Sequence, residues 1–431
     1  MLDQTKAAPG RRTPRRRPLL RKLKLLIVTT TVLLALLLSN TGTTAVQIGW
    51  YVSISAEKWD RHNTVVSFQY DPKNFPTGSR AYLTDLKGSR IPLQFDGTTA
   101  SFVLRDLEAG RSEILRIRHD SGKSPSDSGG VELTRVQNRL EIKIRGHQVF
   151  SFVAEPGSLP SPDIKPVFLR GGYIHPVFTP KGKIVTDDYP SDHYHHHGIW
   201  FAWTKTEFEG KHPDFWNVGD LTGRVDFEKV GKTWSGPVYG GFTSFQKYVA
   251  LTGEAPKTVL NEDWDVRVYN LGSEKEPCFI FDIIATQENV STSPLILEEY
   301  RYGGMGVRGN REWKDKSKVS FLTSEGKTRA DGNATPARWC HIGGTVDGQL
   351  VGIAVLDHPS NFRAPVPVRI HPDDPYFNYA PSQLGRFQID PGKKFVLRYR
   401  YVVTDGPPDT KLLNRLWNDY ANPPRASVAG M

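Results

Sequence analysis

Beyond residue 45, apolar and polar residues alternate with a period of two along many short stretches, the pattern of strands with one buried face. Val65-Val66-Ser67-Phe68-Gln69-Tyr70, Ile114-Leu115-Arg116-Ile117-Arg118, Leu140-Glu141-Ile142-Lys143-Ile144 and the run from Phe395 to Val403 show this alternation or a β-rich composition. Gly, Pro, Asn or Asp bound many of them, as turns between strands require. One stretch departs from the pattern. Leu412, Leu413, Leu416, Trp417 and Tyr420 recur at helical spacing and predict a short helix from Thr410 to Tyr420. There is no internal repeat and no heptad. The pattern predicts an all-β fold: a large antiparallel β-sandwich or supersandwich, preceded by a small β-sandwich-like unit and an N-terminal apolar leader helix.

Polar, Gly- and Ser-rich residues from Ser121 to Gly130 mark a first break, and Glu155 to Pro162 a second. These breaks predict a leader over 1–45, a small β unit over 46–160 and the larger β domain over 161–425. At 431 residues, 38% of them hydrophobic, the chain can bury a sizeable core.

The net charge of +10 changes meaning once it is located. Residues 1–45 hold six Arg and three Lys against one Asp, a net of +8, and the remainder holds 47 basic and 45 acidic residues, a net of +2. The excess belongs to the leader, so no nucleic-acid footprint is present. A basic head from Arg11 to Lys24, an apolar stretch from Leu25 to Leu38 and small residues from Ser39 to Ala45 have the plan of an export signal. The expectation is a protein translocated to the periplasm or outside, touching membrane only through this segment, with cleavage and retention as an anchor both open. Cys278 and Cys340 are the only cysteines. In an oxidising compartment they could pair, or stay as buried thiols.

Candidate chemistry concentrates in Asp192-His193-Tyr194-His195-His196-His197-Gly198, which holds four of the chain's 12 histidines. Imidazole moves protons near neutral pH and is the commonest metal ligand. If the segment is extended, His193, His195 and His197 share a face. Three readings stay open: a divalent-metal site on His193, His195 and His197, with further ligands from Asp187, Asp188, Asp192, His175 or His358; metal-free acid–base chemistry or sugar binding; or a rigidified polar loop. No acid follows His195-x-His197 at the spacing a cupin requires. Trp200, Phe201, Trp203, Phe215 and Trp216 surround the window, and Asp214-Phe215-Trp216-Asn217 mixes polar ends with aromatics, as a sugar-binding rim does. A second constellation, Glu298-Glu299-Tyr300-Arg301-Tyr302, offers a general base at a strand end. A third, Asp357-His358-Pro359-Ser360-Asn361-Phe362-Arg363, opens where the buried run Val351 to Leu356 ends, and Arg363 could bridge sugar hydroxyls.

Together, His175-Pro176, Asp192-His193, His195-His196-His197-Gly198, Asp214-Phe215-Trp216, Glu299-Tyr300-Arg301 and Asp357-His358-Pro359 with Asn361 and Arg363 resemble a bacterial family labelled PmoA-like, or methane oxygenase PmoA. The resemblance covers most of 160–405. It implies a galactose-mutarotase-like supersandwich in which a His and a Glu act on a sugar ring. The family label implies methane oxidation. A chain with one short apolar run lacks the several spanning helices of the membrane subunit of that name.

The leading expectation is an exported carbohydrate-binding or carbohydrate-processing protein. A histidine among His193, His195, His196 and His197 would be the general acid, and Glu298 or Glu299 the base. His358 would complete the catalytic set, and His175, Trp200, Asp214, Trp216, Tyr300, Arg301, Asn361 and Arg363 would hold the sugar. The rivals are a His-ligated oxygenase or hydrolase and a non-catalytic carbohydrate binder.

Overall fold

A computed structural model describes residues 49–73, 80–120, 129–273 and 275–430. The leader, and with it the expected N-terminal helix, lies outside the described residues. Strands make up 52% of the chain, in antiparallel sheets. The predicted stretches fall in Arg61–Gln69, Ser112–Asp120, Arg139–Ile144 and Lys394–Asp405.

A nine-stranded and an eight-stranded sheet form the larger part of the chain. The nine-stranded sheet runs from Val131–Val136 at one edge to Thr335–Pro336 at the other, with Tyr173–Val177, Ile199–Ala202, Gly304–Arg308 and Tyr376–Tyr379 as neighbours in its middle. The eight-stranded sheet holds the longest strands, including Tyr239–Ala250, Lys257–Tyr269, Cys278–Asn289 and Lys394–Asp405. Aromatic rings join the two layers. Phe150 meets Phe281 at 4.8 Å, Phe152 meets Phe242 at 4.7 Å, and Tyr379 stacks on Tyr399 at 5.6 Å. Each such pair adds about 0.5–1.5 kcal/mol beyond the area it buries.

The front of the chain builds a smaller core. Trp50–Ser55, Ser112–Asp120, Arg80–Thr84 and Arg90–Pro92 form one sheet, and Arg61–Gln69, Thr99–Leu107 and Gln94–Asp96 form another. Ile54, Val66, Phe68, Leu83, Phe102 and Leu115 fill the space between them. The last strand, Arg425–Gly430, returns to pair with Trp50–Ser55. The strands between the two sequence breaks, 131 to 153, are hydrogen-bonded into the nine-stranded sheet rather than into this smaller core.

The helix spans Thr410–Ala421. Asp409 caps it by accepting the N–H groups of Lys411 (2.9 Å) and Leu412 (3.0 Å). Its apolar face, Leu413 and Leu416, packs with Cys278, Ile280, Trp339 and Leu356 of the eight-stranded sheet. Cys278 belongs to this helix-side cluster and Cys340 to the core between the sheets, and both are free thiols. Burial pushes the Cys278 thiol up to about 12 and Cys340 higher still, so both are inert.

Candidate active site on the outer face of the nine-stranded sheet

Strand alternation sorts the central residues of this sheet onto two faces. Ile199, Phe201, Val307, Phe377 and Tyr379 turn inward, where Phe377 meets Phe321 of the eight-stranded sheet. Trp200, Gly306, Arg308 and Tyr376 lie on the other face, with Trp200 opposite Gly306 and Arg308 opposite Tyr376. Gly306 leaves room for two indoles: a Cβ there would stand 3.2 Å from Cη2 of both Trp200 and Trp216. Asp214 folds the segment that brings Trp216 over, accepting the N–H of Trp216 (2.8 Å) and of Asn217 (3.0 Å).

The imidazole segment is not extended. The N–H of His193 donates to the Pro190 carbonyl (2.9 Å) and that of His196 to the His193 carbonyl (2.8 Å), making two successive turns. Pro190, Ser191 and Asp192 favour such turns. The partners that meet are therefore three residues apart, not two: His193 stacks on His196 at 4.6 Å and 9°. His195 meets both rings edge-on, at 5.5 Å and 4.6 Å. His196 is buried against Trp200 and Tyr376, each at 4.9 Å. His197 turns away, its Nδ1 2.7 Å from Asp188, which also accepts from the Tyr173 hydroxyl (2.8 Å).

Arg308 organises the acids. It is 1% exposed, and its Nη2 donates to both carboxylate oxygens of Asp192, at 3.0 and 3.1 Å. Its Nη1 lies 3.4 Å from His196 Nδ1 and 4.0 Å from Asp374 Oδ2. Asp374 and His371 come from the loop after strand Pro367–Ile370. The Asp374 carboxylate lies 3.5 Å from His193 Nδ1, which is buried without a hydrogen-bond partner. Arg329 holds this loop from behind, donating to the carbonyls of His371 (2.6 Å) and Asp374 (3.1 Å).

These contacts separate the acidities of two neighbouring carboxyls. Burial opposes ionisation of Asp192, but the Arg308 guanidinium outweighs it and brings Asp192 down to about 2. Burial and the ionised Asp192 raise Asp374 against the pull of Arg308. One carboxyl is therefore held as the anion and the other toward the acid, as in pairs that divide base and acid roles. Burial, with the neighbouring imidazoles, lowers His195 to about 3 and holds His196 well below its ordinary value, so both are neutral at physiological pH.

Two clefts share Asp187 and Arg311, and one of them reaches Asp192. One of about 340 Å³ is lined by Asp187, Asp188 and Asp192, by Arg308, Arg311 and Lys314, and by Tyr189 and Tyr194. The other, about 470 Å³, includes His175, Asp187 and Arg311.

A family of unknown function, DUF6807, matches residues 139–418. The chain belongs to this family. No curated protein matches this DUF6807 member. Among solved structures it is similar to an alpha-mannosidase from Enterococcus faecalis V583, at 7% identity and a TM-score of 0.43, covering 95% of this chain and 49% of the mannosidase. It is also similar to a mutant of the heparan sulfate lyase HepC from Pedobacter heparinus, at 10% identity and a TM-score of 0.31, covering 67% of this chain and 38% of the lyase. The DUF6807 chain thus spans half or less of the length of either enzyme, and nothing about its activity follows from these likenesses.

The structure gathers only part of the expected site. Trp200 and Trp216 are buried, at 0% and 2% exposure, so they back the imidazoles and have no face to offer a sugar. Asp214 is occupied by its turn and by the Asn217 amide, at 2.6 Å. Glu298 pairs with Arg386 at 3.3 Å and Glu299 is exposed. Their segment reaches the imidazoles only through Tyr302, which meets Trp216 at 5.4 Å. Tyr300 meets Tyr302 at 4.9 Å with the rings tilted by 58°, and Arg301 lies over both rings. The third constellation is elsewhere. His358 contacts Ser360 and Tyr420, at the helix. Asn361 bonds Asp357 and the backbone of Arg398, and Arg363 donates to the carbonyls of Pro381 (2.7 Å) and Gly385 (2.6 Å). Both are loop-fixing groups. His175 bonds Thr186 at 3.0 Å, one strand away from the turns.

The expected metal set fails as well. His197 is held by Asp188, and the group close enough to share an ion is His193, His371 and Asp374. His371 Nδ1 accepts the N–H groups of Asp373 (3.2 Å) and Asp374 (2.9 Å). Its proton therefore sits on Nε2, and neither nitrogen has a lone pair for a cation. The Arg308 cation beside Asp374 adds repulsion. The residues present do not fit a metal.

Arg308, His371 and Asp374 were missing from the sequence-based site. For two of them a signal exists: His371-Pro372-Asp373-Asp374-Pro375 places an imidazole and acids between prolines at a strand end. Nothing local marks Arg308, whose partners lie more than 60 residues away along the chain.

Proposed function

We propose that this protein binds and processes a carbohydrate at the cleft bounded by Asp192, Arg308 and Tyr194, by metal-free proton transfer. The observation that carries the reading is the Asp192–Asp374 pair, both beside Arg308 and His193 and differing in acidity. Asp192, ionised across the physiological range, is the base. Asp374, outside the cleft lining, holds a proton beside Asp192, and His193 Nδ1 is a second proton site next to it. The cleft wall alternates three carboxylates and three cations with two tyrosine rings, a lining that suits a hydroxyl-rich molecule. Its volume suits one or two sugar rings. The export-like plan of the leader supports an activity outside the cytoplasm.

The test is turnover of a panel of mono- and oligosaccharides by the full chain. Asp192→Asn and Asp374→Asn are each expected to lower kcat by about 10²–10⁴-fold with sugar affinity nearly kept, since each removes one proton-transfer group. Undiminished turnover in both variants would overturn the reading.

A further inference from the structure

A third cleft lies between the small front core and the larger sheets, away from the acid pair. Its volume is about 780 Å³, and it is lined by the strand Arg90–Pro92, the run Val103–Asp106, Arg145, Pro237–Val238 and the loop 270–273 with Lys275. We propose that it binds an acidic oligosaccharide, one that carries carboxylates or sulfates along its length.

Charge is the first argument. Arg90, Arg105, Arg145, Lys275 and His62 face the cleft, and Asp106 is its one acidic lining residue. Asp106 is itself engaged by His62. The Arg145 guanidinium is oriented by neutral acceptors, Asn270 Oδ1 at 2.9 Å and the Gly272 carbonyl at 3.4 Å. Among the described residues, no carboxylate lies within 4.0 Å of the cationic groups of Arg105, Arg145 or Lys275. The nearby Glu276 is turned to Arg415, at 2.7 Å. Three positive charges converge on one concave surface, where a low-dielectric wall strengthens their field, and among the described residues Asp106 is the one lining carboxylate.

The rest of the lining selects the kind of anion. Ile91, Pro92, Val103, Val238 and Leu271 give aliphatic surface, and Asn63 and Asn270 give amides. No Phe, Tyr or Trp lines the cleft. Nucleic-acid grooves pair cations with aromatic rings on which bases stack, and that element is missing. Aliphatic patches between cations fit the C–H faces of pyranose rings, with the anionic substituents reaching the cations. The cleft is built from both cores, so it is a permanent feature of the fold.

Titration calorimetry on the full chain tests this with four probes of matched length: a polygalacturonate octamer, a sulfated octasaccharide, neutral maltooctaose and single-stranded DNA. At least one acidic oligosaccharide is expected to bind, at least tenfold more tightly than maltooctaose, and to weaken as salt rises from 50 to 200 mM. The two acidic probes separate carboxylate from sulfate recognition. Arg105→Glu with Lys275→Glu, both at exposed positions, is expected to reduce that affinity at least tenfold while the melting temperature is unchanged. The milder Arg105→Gln with Lys275→Gln gives a second reading that does not depend on charge reversal. Equal binding of maltooctaose, unchanged affinity in both double variants, or DNA binding as tight as the acidic sugars would overturn the proposal. Because the variants leave Asp192 and Asp374 untouched, loss here is separable from failure of the proposed activity.

Discussion

Arg61→Ala is expected to lower the unfolding free energy by about 3–5 kcal/mol, because it leaves the Asp419 carboxylate buried without its partner. Arg61 begins a strand of the small front core, and Asp419 sits on the C-terminal helix. Their side chains are 0% and 1% exposed and meet at 2.8 Å. Arg61 also donates to the Ala56 carbonyl at 3.2 Å. Burial is severe enough that the Asp419 carboxyl is raised above its ordinary value even with Arg61 beside it. Arg61 Nη2 and Asp419 Oδ2 have no partner at all. A pair so costly to desolvate is a tie between elements, not a source of net stability. Arg61→Met with Asp419→Leu should therefore recover most of the loss. Urea denaturation of the three variants gives the answer, and a single-variant effect under about 1 kcal/mol would show that water reaches the pair.

The strands were legible because alternation is a local signal, and so was the helix, whose apolar residues recur on one face. The imidazole turns show where the local signal stops. His193, His195 and His197 alternate in sequence, but Pro190-Ser191-Asp192 bends the chain and His196 becomes the partner of His193. The aromatics were misread for a similar reason. An indole beside histidines suggests a binding face, yet Trp200 and Trp216 meet across Gly306, a residue about 100 positions away, and are sealed by that packing.

Partners remote in sequence decided the rest of the site. Arg308 selects Asp192 and Asp374 as its acids, and no spacing rule links residues 192, 308 and 374. Glu298 looked like a base because it ends an apolar run, but Arg386, brought beside it by the pairing of Leu295–Leu297 with Phe387–Ile389, takes its charge. Glu262 shows the same effect inside the core. It lies in a strand between Asn261 and Asp263, reads as a solvated position, and is fully buried between Gln246 and Gln287 on neighbouring strands.

Protonation of His341 should act against the fold as the pH falls from about 6.5 to 4. This ring is 2% exposed, both its nitrogens lack partners, and it fills the space over Gly343 and Gly352, where added Cβ atoms would stand 2.6 and 2.2 Å from it. Burial alone lowers its pKa from 6.5 to about 4. The unfolded chain therefore takes up this proton first. The contribution of His341 is complete above pH 6.5, falls as the pH drops toward 4, and levels off where both states are protonated. At about 1.4 kcal/mol per pKa unit, the loss is about 3 kcal/mol. Two buried carboxyls act in the opposite sense. Glu262, raised to about 8, and Asp357, raised to about 7, contribute stability that is lost as pH rises, and at these values the two together exceed the histidine effect in the wild-type curve. Subtracting the curve of His341→Leu isolates the imidazole. Between pH 7 and 4 the variant should gain about 3 kcal/mol on the wild type. A flat difference across that range would mean that the protonated ring finds an acceptor, and that the space between the two glycines opens to water in acid.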